Sequence, residues 1–145
     1  MERRLTAIFA LDMVGYGRLM ELDEAYTLAR HESIGTELFD PAVSKHHGRV
    51  VKSTGDGFLA EFPSAVEAVE CAAALQQGVA EHEADVPPES QLAYRIGNAI
   101  GDIVDRDGDI YGGGVIIASR IESLAGPGEI LVSDHAYGQV HNKVE

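Results

Sequence analysis

Asp12 and Asp56 are the residues whose types and settings could do chemistry. Asp12 ends an apolar run, Leu5-Thr6-Ala7-Ile8-Phe9-Ala10-Leu11. Asp56 sits in Lys52-Ser53-Thr54-Gly55-Asp56-Gly57-Phe58, between Val50-Val51 and Leu59-Ala60. Asp-Gly between β-type runs signals a two-residue hairpin turn, because a mirror-image turn needs positive φ and glycine supplies it without steric cost. Carboxylates at a hairpin tip and at a neighbouring strand end could together hold two divalent cations. Two such ions clamp the attacking and leaving oxygens of a phosphoryl transfer. Mg²⁺ commonly takes one or two carboxylates and completes its shell with substrate phosphates, so this thin donor set suffices. Taken singly, Asp12 reads equally well as a strand-end carboxylate and Asp56 as an ordinary turn residue.

The elements that must position them alternate along the chain. Residues 5–12 read as a fully buried strand, followed by a glycine-bearing turn, Val14-Gly15-Tyr16-Gly17. Residues 23–45 carry Ala25, Leu28, Leu38, Phe39 and Ala42 at helical spacing, with Pro41 expected to kink the helix or start a new turn. The hairpin occupies about 49–62. Ser64 then caps a helix over 65–84, with Glu67 completing a capping box. Residues 92–104 read as a long strand, 105–109 as a turn and 113–125 as a helix ended by Gly126-Pro127-Gly128. A short strand at 130–132 and a helical turn capped by Ser133 follow. The order β-α-β-β-α-β predicts an α/β (α+β) layer fold of ferredoxin-like type, with a mainly antiparallel sheet and helices on one face.

Composition narrows the function. At 145 residues and 45% hydrophobic, the chain is one domain with a real core. Its 11 basic and 24 acidic residues leave a net charge of -13, which argues against nucleic acid and anionic membrane surfaces as partners. The single cysteine, Cys71, lies in an Ala-rich helical pattern and reads as a small buried apolar residue. The adjacent His46 and His47 read as surface residues at a helix end. No apolar run has the length of a membrane span and no signal peptide opens the chain, so a cytoplasmic protein is expected.

Four segments in order resemble the class III nucleotidyl cyclases, adenylate and guanylate, of a bacterial subgroup. Phe9-Ala10-Leu11-Asp12-Met13-Val14-Gly15-Tyr16-Gly17-Arg18-Leu19-Met20 resembles the first metal segment and Lys52-Ser53-Thr54-Gly55-Asp56-Gly57 the second. Arg95-Ile96-Gly97 with Gly101-Asp102 resembles the central strand. Asp109-Ile110-Tyr111-Gly112 with Val115 and Ala118-Ser119-Arg120 resembles the dimer-arm and catalytic segment. The resemblance implies that Asp12, Asp56 and the Met13 carbonyl bind two Mg²⁺ or Mn²⁺ ions per site. It implies that Val14, Gly15, Tyr16 and Gly17 lie near the triphosphate, that Lys52 and Asp109 read the purine of ATP, and that Arg120 stabilises the transition state. It further implies a homodimer with composite sites: one protomer supplies Asp12 and Asp56, its partner Lys52, Asp109 and Arg120. By residue chemistry alone, Arg120 would read as a helix-surface arginine paired with Glu122 or Asp102.

The chain departs from the family pattern at two places. The family asparagine four residues before the arginine is Ile116 here, which offers no polar group to orient a ribose. The run Gly112-Gly113-Gly114 is looser than the family pattern. The sequence also ends at Glu145, so the domain, 1–145, is expected to lack the family's closing segment and its phosphate-binding lysine; Lys143 comes too early for that role.

Overall fold

Strand β1 (Glu2–Met13) organises the molecule. Its apolar run is buried on both sides: Ala7, Phe9, Leu11 and Met13 pack into one core, Ile8 and Ala10 into another. This is why the run lacks alternation, as expected for a strand covered on both faces. The computed structural model describes residues 2–141; Lys143 lies outside the described residues.

Antiparallel partners flank β1: β3 (Gly57–Phe62) on one side and the long β4 (Tyr94–Arg106) on the other. Strand β2 (Arg49–Ser53) pairs with β3, and β5 (Asp109–Tyr111) with the end of β4. Strand β6 (Ile130–Val132) runs parallel to β4 at Ile96–Asn98. The order β2-β3-β1-β4-β5 gives the expected α+β class and mainly antiparallel sheet.

The helices, expected on one face, divide between two. Helices α1 (Tyr16–Leu22), α2 (Glu24–Ile34), α3 (Asp40–Lys45), α4 (Ala65–His82) and α6 (Asp134–Val140) pack on the face that carries Phe9, Phe62 and Ile96. Helix α5 (Gly113–Leu124) packs on the other, against Ile8, Ala10, Ala99 and Ile103. Glycines on β4 permit this. A Cβ at Gly97 would lie 2.6 Å from the Ala118 carbonyl oxygen, and one at Gly101 would lie 2.6 Å from Gly114 Cα, so α5 rests backbone to backbone on the sheet.

Two turn assignments change. Thr54 N–H donates to the Gly57 carbonyl at 2.9 Å, so the two-residue loop is Gly55–Asp56, with Gly55 at φ 87. Gly57 is required for another reason: a Cβ there would lie 1.8 Å from the Leu11 carbonyl oxygen on β1. The Asp-Gly mirror-image turn occurs instead at Asp107 (φ 55) and Gly108 (φ 85). It extends β4 to Arg106 and makes Asp109 the first residue of β5.

The segment expected as one helix over 23–45 is α2, a π-helical stretch (Gly35–Phe39) and α3, with Pro41 in the first turn of α3. Proline cannot donate to the carbonyl four residues back, and the wider turn just before it accommodates the loss. Tyr16 and Gly17, expected in a turn, open α1. Ser64 caps α4 as expected, accepting from the Glu67 N–H at 3.2 Å. Cys71 is fully buried, and burial pushes its thiol up to about 12.

Candidate active site

Sheet register sets the site. On β1, Asp12 faces the α5 side, with Gly57 of β3 opposite it on one edge and Arg95 of β4 on the other. Arg95 Nε donates to Asp12 Oδ1 at 2.7 Å and Nη2 to Oδ2 at 3.4 Å. Arg95 Nη1 donates to the Ser123 carbonyl at 3.3 Å, and Nε lies 3.7 Å from Glu122 Oε2. The bond to Asp12 raises the Arg95 pKa against the opposing effect of burial.

Glu122 is a buried carboxyl, 5% exposed. Burial first, then its hydrogen bond to Asp12 and the charge of Asp12, push it up to about 8, while Arg95 pulls the other way. Burial and the neighbouring Asp12 thus favour the protonated form of Glu122. Between about pH 4.5 and 8 the unfolded chain ionises Glu122 while the folded protein keeps its proton, so stability falls as pH rises through that window. Glu122→Gln should remove this loss. Thermal melts should show the variant gaining on the wild type from pH 5 to pH 8; a constant difference would contradict the assignment.

Asp56 reaches the same place from the hairpin loop. Met13 N–H donates to the Asp56 carbonyl at 2.8 Å, which clips the loop to the end of β1. Asp12, Asp56, Lys52, Thr54, Ser119 and Glu122 line a cavity of about 360 Å³ between this loop and α5. Beneath the loop, His31 stacks on Phe58 and Tyr94 with Nδ1 2.7 Å from the Tyr94 hydroxyl. Burial lowers the His31 pKa, with Asp56 and the Gly55 backbone opposing.

Lys52 Nζ donates to Asp109 Oδ2 at 3.1 Å and lies 6.0 Å from the Tyr111 ring centroid. Asp109 Oδ1 accepts from the Ile110 N–H at 2.7 Å. Burial would raise the Asp109 carboxyl, but the Lys52 hydrogen bond, the Ile110 N–H and the Lys52 charge outweigh it and hold it below its ordinary value. The two residues are 57 positions apart. Arg49 ties their strands together, with Nη1 donating to the Gly108 carbonyl at 3.1 Å.

The remaining expected residues lie outside the cavity. Val14 N–H donates to Ala93 O at 2.8 Å, and Gly15, at φ 68, caps α1. Tyr16 and Gly17 then present first-turn N–H groups that have no intrahelical acceptor. Arg120 is exposed on α5, and among the described residues no hydrogen bond or ion pair engages it. Glu122, one of its expected partners, turns instead to Asp12. Ile116, one turn earlier, is 51% exposed on the same face.

Arg95 and Glu122 lie beside Asp12, although the sequence pointed to neither as a residue of the site. One signal was legible: Glu122 falls four residues after Ala118, on the stripe of α5 that faces the sheet. A carboxyl on such a stripe needs a partner. The Arg95 pairing was not legible, because it depends on cross-strand register.

Among the described residues, no group of three or more His, Cys, Asp or Glu side chains is arranged to hold a metal ion. The cavity offers Asp12 and Asp56, hard oxygen donors of the kind Mg²⁺ and Mn²⁺ prefer, in the number that leaves room for substrate phosphates. Among the described residues, no helix is long and apolar enough to cross a membrane.

Comparison with known proteins shows the family. Residues 3–144 match the family model described as the adenylate and guanylate cyclase catalytic domain. A Rhizobium meliloti protein provisionally named adenylate cyclase 3 is 49% identical over 143 residues, 99% of this chain and 24% of that protein. An adenylate cyclase of Streptomyces coelicolor is 36% identical over 141 residues, 95% of this chain and 34% of its own. The chain thus spans a quarter to a third of these curated relatives. The crystal structure of an adenylate/guanylate cyclase/hydrolase from Silicibacter pomeroyi superposes with a TM-score of 0.91 at 46% identity, covering 100% of this chain and 84% of that one.

Proposed function

Because the chain belongs to the adenylate and guanylate cyclase catalytic domain family, we propose that it is an adenylate cyclase domain. It converts ATP to 3′,5′-cyclic AMP and pyrophosphate. The observation that carries this reading is the Lys52–Asp109 pair at the edge of the carboxylate-lined cavity.

Asp12 and Asp56, with the Met13 carbonyl, would hold two Mg²⁺ or Mn²⁺ ions. Bound there, the ions supply positive charge to the phosphates and lower the pKa of the ribose 3′ hydroxyl. The ribose 3′ hydroxyl gives its proton to solvent as its oxygen attacks the α-phosphorus, the bond to the β-phosphate oxygen breaks, and pyrophosphate leaves. The backbone N–H groups of residues 14–17 donate to phosphate oxygens at the start of α1. Lys52 donates to adenine N1 and Asp109 accepts from the exocyclic amine. Guanine reverses this donor–acceptor pattern, so GTP would leave both groups unpaired.

Lys52 and Asp109 serve the neighbouring protomer's site, and so does Arg120. Its guanidinium offers fixed paired donors to charge developing on phosphate oxygens. It is exposed and does not line its own chain's cavity, and Ile116 and Ile117 on the same helix are exposed too. An apolar, outward face of this kind suits a homodimer related by a two-fold axis, in which each protomer completes its partner's composite site. The ATP substrate fits a cytoplasmic protein.

The test is cyclic nucleotide formation by the purified protein with Mn²⁺ and either ATP or GTP. Cyclic AMP above an Asp56→Ala control, with ATP preferred, is expected. Equal turnover of ATP and GTP would remove the base-reading role of Lys52 and Asp109. A second reading is a catalytically impaired cyclase-like domain that dimerises and binds nucleotide to regulate attached domains. Ile116 favours it. Ile116→Asn should raise the rate by about two to three orders of magnitude by restoring one polar contact. An unchanged rate would show that residue 116 is not what limits turnover.

A further inference from the structure

Asp12 already carries a cation. The Arg95 guanidinium addresses both of its carboxylate oxygens, at 2.7 and 3.4 Å. A two-point arginine–carboxylate contact directs charge and in-plane donors at the lone pairs a metal ion would use. The guanidinium is also tethered from α5, through the Ser123 carbonyl and Glu122. Lys52, which lines the cavity, is engaged by Asp109. Asp56 has no hydrogen-bonded or ion-paired cation among the described residues. Among the described residues, Arg95 is therefore the cation hydrogen-bonded to the carboxylate pair.

We propose that Arg95 is a tethered placeholder for a divalent cation: it holds Asp12 in the nucleotide-free domain and keeps metal loading there weak. This rests on the reading of Asp12 and Asp56 as metal ligands. Without the guanidinium, the cavity would present two uncompensated carboxylates, the electrostatic setting of a divalent-cation site. With it, an incoming cation must displace one contact and then sit beside a like charge. Arg95 acts here as a positioning residue, through Asp12. If the pair served only to aim Asp12 at a metal, removing Arg95 would weaken cation binding; the placeholder role demands the opposite.

Mn²⁺ titration of the nucleotide-free protein, followed by the electron paramagnetic resonance of unbound Mn²⁺, separates the two. Arg95→Gln should bind Mn²⁺ at least about tenfold more tightly than wild type, the scale expected when one charge a few ångströms away is removed. Arg95→Lys should remain close to wild type, and adding Asp12→Asn to Arg95→Gln should abolish the gain. Equal or weaker binding by Arg95→Gln, or equal binding by the lysine and glutamine variants, would overturn the proposal.

A measurement on the unmodified protein guards against misfolding of the variant. The ¹⁵N-labelled Arg95 Nε–H signal should move as Mg²⁺ saturates the site, with saturation read from the Gly57 amide. A stationary Nε–H signal at saturation overturns the proposal. Neither readout uses cyclic AMP, so a protein that makes none would refute the proposed activity while leaving the placeholder role decided by its own data.

Discussion

Asp56→Ala should lower cyclic AMP formation by at least about 10³-fold while leaving the fold intact. A bound divalent ion supplies several kcal/mol of transition-state stabilisation, and each 1.4 kcal/mol is about a factor of ten. The substitution is clean because the loop is held by its backbone. The Asp56 carbonyl, not its carboxylate, accepts from the Met13 N–H, and Gly55 supplies the positive φ. Among the described residues no hydrogen bond or ion pair engages the Asp56 carboxylate. Its removal should leave stability within about 0.5 kcal/mol of wild type. Asp12 would be a poorer choice, since removing it strands Arg95 and Glu122. The checks are product formation and thermal melting. Retained activity in a folded Asp56→Ala protein would exclude a two-carboxylate mechanism.

Gly57→Ala should destabilise the domain by about 3 kcal/mol or more, a fall in Tm of roughly 6–12 °C. The new methyl would lie 1.8 Å from the Leu11 carbonyl oxygen and 2.8 Å from Asp12 Cα. These are backbone atoms of a central strand and cannot turn aside, so β3 must move away from β1 where Asp12 and Asp56 meet. Gly138→Ala in α6 is the control, because nothing lies within 4 Å of its added Cβ. There alanine should match or slightly exceed glycine, by up to about 1 kcal/mol, through its better helix propensity. Equal melting of the two variants would refute the close approach of β3 to β1.

The expectations that held rest on short-range chemistry. Ser64 caps α4 because its hydroxyl reaches the N–H three residues on. Cys71 is buried because the positions around it repeat with the helix. His47 lies at the end of α3, with Nδ1 2.6 Å from Glu67 Oε1. Errors arose where one local pattern allowed two geometries. Asp56-Gly57 and Asp107-Gly108 are the same dipeptide, yet only the second forms the mirror-image turn. What distinguishes them is the approach of β1 to Gly57, a contact between residues more than forty positions apart.

The sequence by itself determined the family and the alternation of strands and helices, and it singled out Asp12, Asp56, Lys52 and Asp109 as candidates. These are carried by residue types at short spacing, where propensity and local hydrogen bonding act. The tertiary structure alone decided that α5 covers the second face of the sheet, that Lys52 lines one cavity with both aspartates, and that Arg120 is exposed and does not line it. It also decided that Asp12 meets Arg95, 83 residues away. The reason is physical: cross-strand register and the burial of α5 are set by the packing of the whole sheet, and no window of neighbouring residues contains that information.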